Sequence, residues 1–300
     1  MKTKRVFVGP NGVRAGWTLL IFLAAYLVCK LAIQHALAWA APSLFALKGA
    51  MPKGQFSPQG LLIIEAANLV SLALTLTLMA RVEQRSFAQY GLTRTGAFGK
   101  LFWKGIGWGF VMVLAMVLLQ RAEHVFYFGR VALYGSELVK SAVLWALATL
   151  LVGIYEEVFF RGYVQFTLAS AMGFWPAAVL SSLAFGATHL TDSFYTWVGV
   201  LSAAAYGFLF CLILKRTGTL WMAIGFHAAV DFAETFLFSA NLGSVNVQGH
   251  LLDSVVQGPW WLTGGTVGPE TSLNGLLMFI VVFAAFLVRF PKEYEATSAA

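Results

Sequence analysis

The sequence predicts an all-α fold, a polytopic membrane helical bundle of about eight transmembrane helices, and three observations carry that prediction. Of the 300 residues, 59% are hydrophobic and only 11% are charged, whereas a soluble domain is about 25% charged. Mean hydropathy is +0.76, and the apolar residues gather in runs of about 20, the length that crosses a bilayer as a helix. The basic residues fall in the short connections between those runs. A soluble surface cannot be assembled from this composition.

Windows of about 19 residues place spans near 16–40, 60–81, 101–120, 138–160, 175–190, 195–214, 219–239 and 273–290, the fifth being short. Pro176 suits a first helical turn, where no backbone N–H is needed, and Pro291 stops the last span. The basic start followed by an apolar run resembles a secretory signal. The run continues past Lys30 to a helix-sized total, however, and so reads as the first span. No internal repeat or separate soluble domain is visible; residues 1–300 form one integral membrane domain.

Orientation follows from Lys and Arg in short loops. One side collects Lys2, Lys4, Arg5 and Arg14, then Arg81, Arg85, Arg94, Lys100 and Lys104, then Lys215 and Arg216, then Arg289 and Lys292. The other receives chiefly Lys48, Lys53, Arg121 and Arg130. Both termini are therefore expected in the cytoplasm. The segment EQRSFAQYGLTRTGAFGKLFWKG (83–105) fits a basic stretch on the inner leaflet, with Phe and Leu dipping in and Arg and Lys meeting anionic headgroups. An ordinary basic loop accounts for it equally well. The longest loop, 240–272, is Gly-rich and carries Trp260 and Trp261 toward the outer interface.

The net charge of +7 and pI near 9.5 form no aromatic-interleaved basic stripe, so nucleic acid is not an expected partner. The expected partners are membrane lipid and a membrane-associated peptide or protein. Cys29 and Cys211 sit inside apolar runs and act as small hydrophobes. With no organelle-targeting segment, a bacterial inner membrane is the expected location.

Against this background, GIYEEVFFRG (153–162) places Glu156, Glu157 and Arg161 where an apolar run should be unbroken. A charge at bilayer depth costs about 2.5–3.5 kcal/mol on insertion scales, so these three with Asp231 amount to about 10 kcal/mol. They must be paired or hydrated. Glu157 and Arg161 are four apart, acid before base, and pair on one helical face. Glu156 is turned about 100° away and reads as the free carboxylate. On other spans, LSSLAFGATHLT sets Phe185 and His189 four apart. IGFHAAVDFAETF sets His227, Asp231 and Glu234 on one face at offsets zero, four and seven. Carboxylates and histidines converging from three helices are the groups that activate water or hold a divalent metal.

The motifs EEVFFR (Glu156, Glu157, Arg161), FGATH (Phe185, His189) and HAAVD (His227, Asp231) resemble those of the CAAX-processing and bacteriocin-processing (CPBP, or Abi) intramembrane proteases. The resemblance covers residues 138–240, the catalytic helices, while the first three spans match only as hydrophobic helices. It implies a bundle of about eight helices around a water-accessible cavity, and endoproteolysis of membrane-associated substrates; relatives trim the last three residues of prenylated CAAX proteins or take part in bacteriocin maturation and immunity. It further implies Glu156 as general base, His189 positioning the same water, and His227 at the oxyanion. The last motif often ends in Asn, where this chain has Asp231. An ionised Asp only accepts hydrogen bonds, so Asp231 is a protonated donor, an orienter of His227 or a metal ligand.

A divalent metal such as zinc, held by His189, His227 and a carboxylate, is compatible with the residue set but not required by it; no HExxH is present. The rival class is a non-catalytic membrane protein, a proton-coupled transporter or partner-binding scaffold, since such proteins also keep intramembrane Glu, His and Asp. Transporters often show two related halves, and none is visible here.

Overall fold

A computed structural model of the chain describes residues 8–9, 12–13, 15–43, 55–191, 196–239 and 246–290. Lys2, Lys4, Arg5, Arg14, Lys48, Lys53 and Lys292, which contribute to the expected orientation, lie outside the described residues. Each expected span is occupied by a helix. They are α1 (Ala15–Ala40), α2 (Pro58–Glu83), α3 (Lys100–Ala122) and α4 (Gly135–Glu156), then α5 (Gln165–Met172), α6 (Phe174–Thr188), α7 (Trp197–Thr217) and α8 (Trp221–Phe232). A single turn, α9 (Trp260–Thr263), precedes α10 (Leu273–Arg289). By length and composition five helices can cross a membrane, namely α1, α2, α3, the continuous Gly135–Met172 rod and α7. The shorter α6, α8 and α10 occupy the remaining three positions.

Two departures from a regular pattern matter. The fourth span does not stop near residue 160: it passes through a π-helical stretch, Glu157–Val164, directly into α5. A second π turn, Ala233–Leu237, extends α8. In both, the turn closes with i to i−5 bonds, Gln165 N–H to Phe160 O and Phe238 N–H to Ala233 O. The wider turn places one more residue on each circuit than a regular helix.

Local chemistry sets the helix ends. Pro58 opens α2 behind Ser57, whose hydroxyl accepts from Gly60 N–H at 3.1 Å, and Ser272 caps α10 in the same way at 3.1 Å. Gly218 closes α7 in the left-handed region. The α7–α8 turn is then tied to the segment after α2: Leu220 N–H and the Thr219 hydroxyl donate to Gly91 O at 3.0 and 3.2 Å, and the Trp221 indole donates to Thr93 O at 2.9 Å. The 83–105 connection accordingly folds as two 3₁₀ turns, Phe87–Tyr90 and Arg94–Gly96, docked on the bundle end, with Phe87, Phe98 and Trp103 exposed. In the long loops, Phe126–Tyr127 pairs antiparallel with Val255–Val256, and Gln55–Phe56 pairs parallel with Asn246–Val247.

Packing around α8 is unusually close. A Cβ on Gly105 would lie 2.1 Å from Met222 O, one on Gly225 would lie 2.2 Å from Phe102 O, and one on Gly109 would lie 2.6 Å from Phe226 O. Small residues let helix backbones touch where lipid provides no hydrophobic drive, and here they press α3 against α8. By contrast only 11% of α1's apolar window is buried. Leu20, Leu27 and Val28 are among its exposed, lipid-facing side chains.

Candidate active site

Three helices supply the site. The junction of α4 with the first π stretch gives Glu156, Glu157 and Arg161, α8 gives His227 and Asp231, and the end of α6 gives Phe185 and His189. All eight residues of the π stretch are buried, so Arg161, which a regular amphipathic helix would turn outward, is enclosed.

Glu157 and Arg161 form the expected pair, Arg161 donating from NH1 to Glu157 Oε1 at 3.1 Å, with both side chains 0% exposed. The guanidinium also lies 4.3 Å from the Phe185 ring centre and 5.3 Å from that of Phe210, a stacked cation–π arrangement suited to Arg in a dry setting. Its Nε donates to Gly207 O at 3.4 Å, and a Cβ at Gly207 would sit 2.7 Å from NH2. Arg161 is therefore framed by α4, α6 and α7 together. The same Glu157 oxygen lies 2.9 Å from His227 Nδ1. A carboxylate only accepts, which assigns the proton to Nδ1. Phe210 stacks on the His227 ring at 5.1 Å and 14°.

Glu156 is not the unpartnered carboxylate that helical spacing suggests: its Oε2 lies 3.5 Å from His227 Nε2. The reason is that α8 crosses at this level, which no pattern within α4 reveals. Asp231 Oδ2 lies 3.7 Å from the same nitrogen. Side-chain exposures of 23% for Glu156, 30% for Asp231 and 10% for His227 leave these three partly accessible, whereas Glu157 and Arg161 are sealed.

Glu234, expected on the same face as His227 and Asp231, is instead turned against the carboxyl of Glu270. It belongs to the second π turn, whose extra residue per circuit breaks the 0, 4, 7 register. His189 stands beside Phe185: Nδ1 is 3.1 Å from Phe185 O, and the two rings are 5.1 Å apart, edge to face. The Phe185 ring also stands 6.3 Å from that of His227. Among the described residues, no three His, Cys, Asp or Glu side chains are arranged as ligands of one ion.

Several site residues escape a motif reading. Glu65 of α2 is 9% exposed, and Asn68 Nδ2 donates to both its oxygens at 3.3 Å. It lies in electrostatic reach of Glu156, Asp231 and Lys30. A lone acid in LLIIEAANLV is visible in the sequence, but no spacing links it to a partner. Tyr155 meets Tyr26 of α1 hydroxyl to hydroxyl at 2.7 Å. Phe210 and Gly207 carry no polar signal.

Residues 138–233 match the family model described as Type II CAAX prenyl endopeptidase Rce1-like. The matched stretch contains Glu156, Glu157, Arg161, His189, His227 and Asp231. No curated protein and no solved structure matches the chain.

Proposed function

We propose that this chain, similar over residues 138–233 to the Rce1-like CAAX prenyl endopeptidases, is a membrane protease that hydrolyses peptide bonds of membrane-associated substrates with a water activated by Glu156. The observation that carries the reading is the division of the buried cluster. One carboxylate, Glu157, is sealed with Arg161, while Glu156, Asp231 and His227 Nε2 meet within 3.7 Å on an accessible wall.

In this reading Glu156 takes a proton from water, and the resulting hydroxide attacks the scissile carbonyl carbon. His227, its Nδ1–H held by Glu157, donates from Nε2 to the developing oxyanion. The 3.5 Å separation from Glu156 is long for a hydrogen bond, which leaves that proton available. The proton held by Glu156 then passes to the amide nitrogen, the C–N bond breaks, and the products are a carboxylic acid and an amine, which leave as carboxylate and ammonium once the acid's proton has moved to the amine. His189 completes the water site: with Nδ1–H donating to Phe185 O, Nε2 is the ring's acceptor. Arg161 neutralises Glu157 and fixes the π turn against α7.

Asp231 we read as a protonated donor to the oxyanion. Three acids, Glu156, Glu157 and Asp231, gather around His227 and Arg161. An additional anion at bilayer depth would be costly. No step requires a metal ion; a divalent ion, were one bound, would supply Lewis-acid polarisation of the carbonyl.

The test is proteomic. Membranes containing wild type and Glu156→Gln are compared for peptides cut near a membrane-proximal C-terminus. Cleavage products absent from the variant, at equal protein level, are the expected result; identical peptide sets would remove the peptidase reading.

A further inference from the structure

The 83–105 connection touches both elements that carry the reacting groups. On one side Tyr90, 1% exposed, has its ring 5.4 Å from that of Tyr163, and a Cβ on Gly162 would meet Tyr90 O at 3.2 Å. Tyr163 in turn donates its hydroxyl to Glu83. Gly162 and Tyr163 directly follow Arg161 in the π stretch. On the other side, Gly91 O and Thr93 O receive the hydrogen bonds of Thr219, Leu220 and Trp221 at the head of α8, the helix of His227 and Asp231. A shift of the connection therefore displaces the π stretch and α8 relative to one another.

The outward side of the connection has a different character. Residues 84–122 contain no Asp or Glu, and Glu83, just before them, is committed to Arg85 at 3.3 Å. Arg94 and Lys100 are exposed and Lys104 is half-buried. Among these cations stand Phe98 and Trp103, 47% and 64% exposed. Phe98 has a left-handed backbone, φ 52°, which is unfavourable for a bulky residue, and its ring is only partly used by Phe102 and Trp221. Aromatic rings settle at headgroup depth, and phosphate oxygens accept charge-assisted bonds from ammonium and guanidinium groups. An ordinary basic loop has no buried anchor, whereas this one is fixed to the bundle through Tyr90 and Gly91.

We propose that an anionic phospholipid leaflet is the partner of this face, and that docking on it through Arg94, Phe98, Lys100, Trp103 and Lys104 holds the π stretch and α8 in register, so that activity follows lipid charge. The docking is independent of the reaction; its effect on activity rests on the peptidase reading of the Glu156 site.

The test separates docking from cleavage. Full-length protein is reconstituted in vesicles of phosphatidylcholine alone and of phosphatidylcholine with about one-third phosphatidylglycerol, and amide hydrogen exchange of residues 86–99 is followed by mass spectrometry. Slower exchange in the anionic vesicles is expected, with the ratio between the two vesicles falling by about fivefold for each basic side chain removed, the scale of one cation at an anionic surface. The triple variant Arg94→Gln, Lys100→Gln, Lys104→Gln loses the difference, and Arg121→Gln, at the other end of α3, keeps it. Raising salt to about 1 M, where the screening length falls to about 3 Å, abolishes the difference in the wild type and covers the case in which the triple variant does not fold. Equal exchange in the two vesicles, or a difference that survives both the triple substitution and high salt, overturns the proposal. Cleavage of an uncharged lipid-anchored peptide is expected to be faster in the anionic vesicles for wild type and equal for the triple variant. Lipid-dependent exchange with lipid-independent cleavage overturns the coupling, whereas no cleavage in either vesicle sinks the peptidase reading and leaves the exchange result to decide the docking.

Discussion

Glu156→Gln and Glu157→Gln are the same chemical change one residue apart, and the structure predicts different outcomes. Glu157 is 0% exposed and holds a 0% exposed Arg161 at 3.1 Å. Removing its charge leaves the guanidinium enclosed by Phe185, Phe210 and Gly207 without a counter-ion. Loss of one partner of a buried pair costs about 3–5 kcal/mol. At about 2–4 °C per kcal/mol for a large domain, the apparent Tm in detergent falls by about 6–20 °C. Glu156 keeps 23% of its side chain exposed, and its partner His227 retains Glu157 at 2.9 Å, so Glu156→Gln is expected to melt within about 2 °C of wild type, although both variants are expected to be inactive. The double change Glu157→Gln with Arg161→Met removes the stranded cation and regains most of the lost stability without activity, a coupling that a double-mutant cycle measures. Equal Tm values for the two single variants would refute the division between a structural and a reacting carboxylate; so would a double variant no more stable than Glu157→Gln alone.

The remaining predictions test the frame around that cluster. Gly225→Ala drives a Cβ to 2.2 Å from Phe102 O, which is backbone and cannot rotate aside, so it lowers stability by about 1–3 kcal/mol or more; folded yield after size-exclusion chromatography reads the effect. Asp231→Asn keeps activity at least equal to wild type above neutral pH if the residue donates to the oxyanion, since an amide donates at every pH; a folded but inactive variant across the pH range would contradict that role. Reporter fusions at residues 95 and 255 should report cytoplasm and exterior, and the reverse pattern at either site would discard the proposed orientation. Outside the membrane-spanning segments, hydrogen bonds from Arg130 and His250 hold the Asp253 carboxyl below the usual carboxylate range. The depressed value means that the stabilisation is present above about pH 4, the unfolded range, and is lost as pH falls through the lower folded value. Protease sensitivity of residues 246–258 should rise only under such acid conditions.

The sequence made the helices legible because transmembrane spans announce themselves by length and polarity alone, which is why Ala15–Ala40 and Trp197–Thr217 fall within a few residues of their expected bounds. The Glu157–Arg161 pair was also readable, since four-residue spacing lies within a single segment. Glu234 departs from its expected face because a π turn leaves no mark on hydrophobic periodicity: AETFL (233–237) reads the same in either geometry. The contact of Glu156 with His227 was invisible for another reason. It joins residues 71 positions apart, and which face of α8 meets α4 is decided by glycine contacts with α3 that no motif encodes. Lys30 and Glu65 stand as isolated charges in apolar runs, and only the packing of α1 on α2 brings them within electrostatic reach of one another.

The glycine seam between α3 and α8 has a mechanical meaning. Side-chain contacts can be relieved by a change of rotamer, whereas the approach of Gly105 and Gly225 to opposing carbonyls is main chain against main chain and admits no such adjustment. His227 and Asp231 thus ride on a wall that cannot breathe. On the α2 side stands α1, only 11% of whose apolar window is buried; it meets the helix carrying Glu156 through the Tyr26–Tyr155 hydroxyl pair and through Phe22 and Tyr26 packed on Phe159 and Tyr163. Main chain meets main chain on the α3–α8 side and side chains meet side chains on the α1 side, so relief by a change of rotamer is open to α1 and closed to the helix that carries His227 and Asp231.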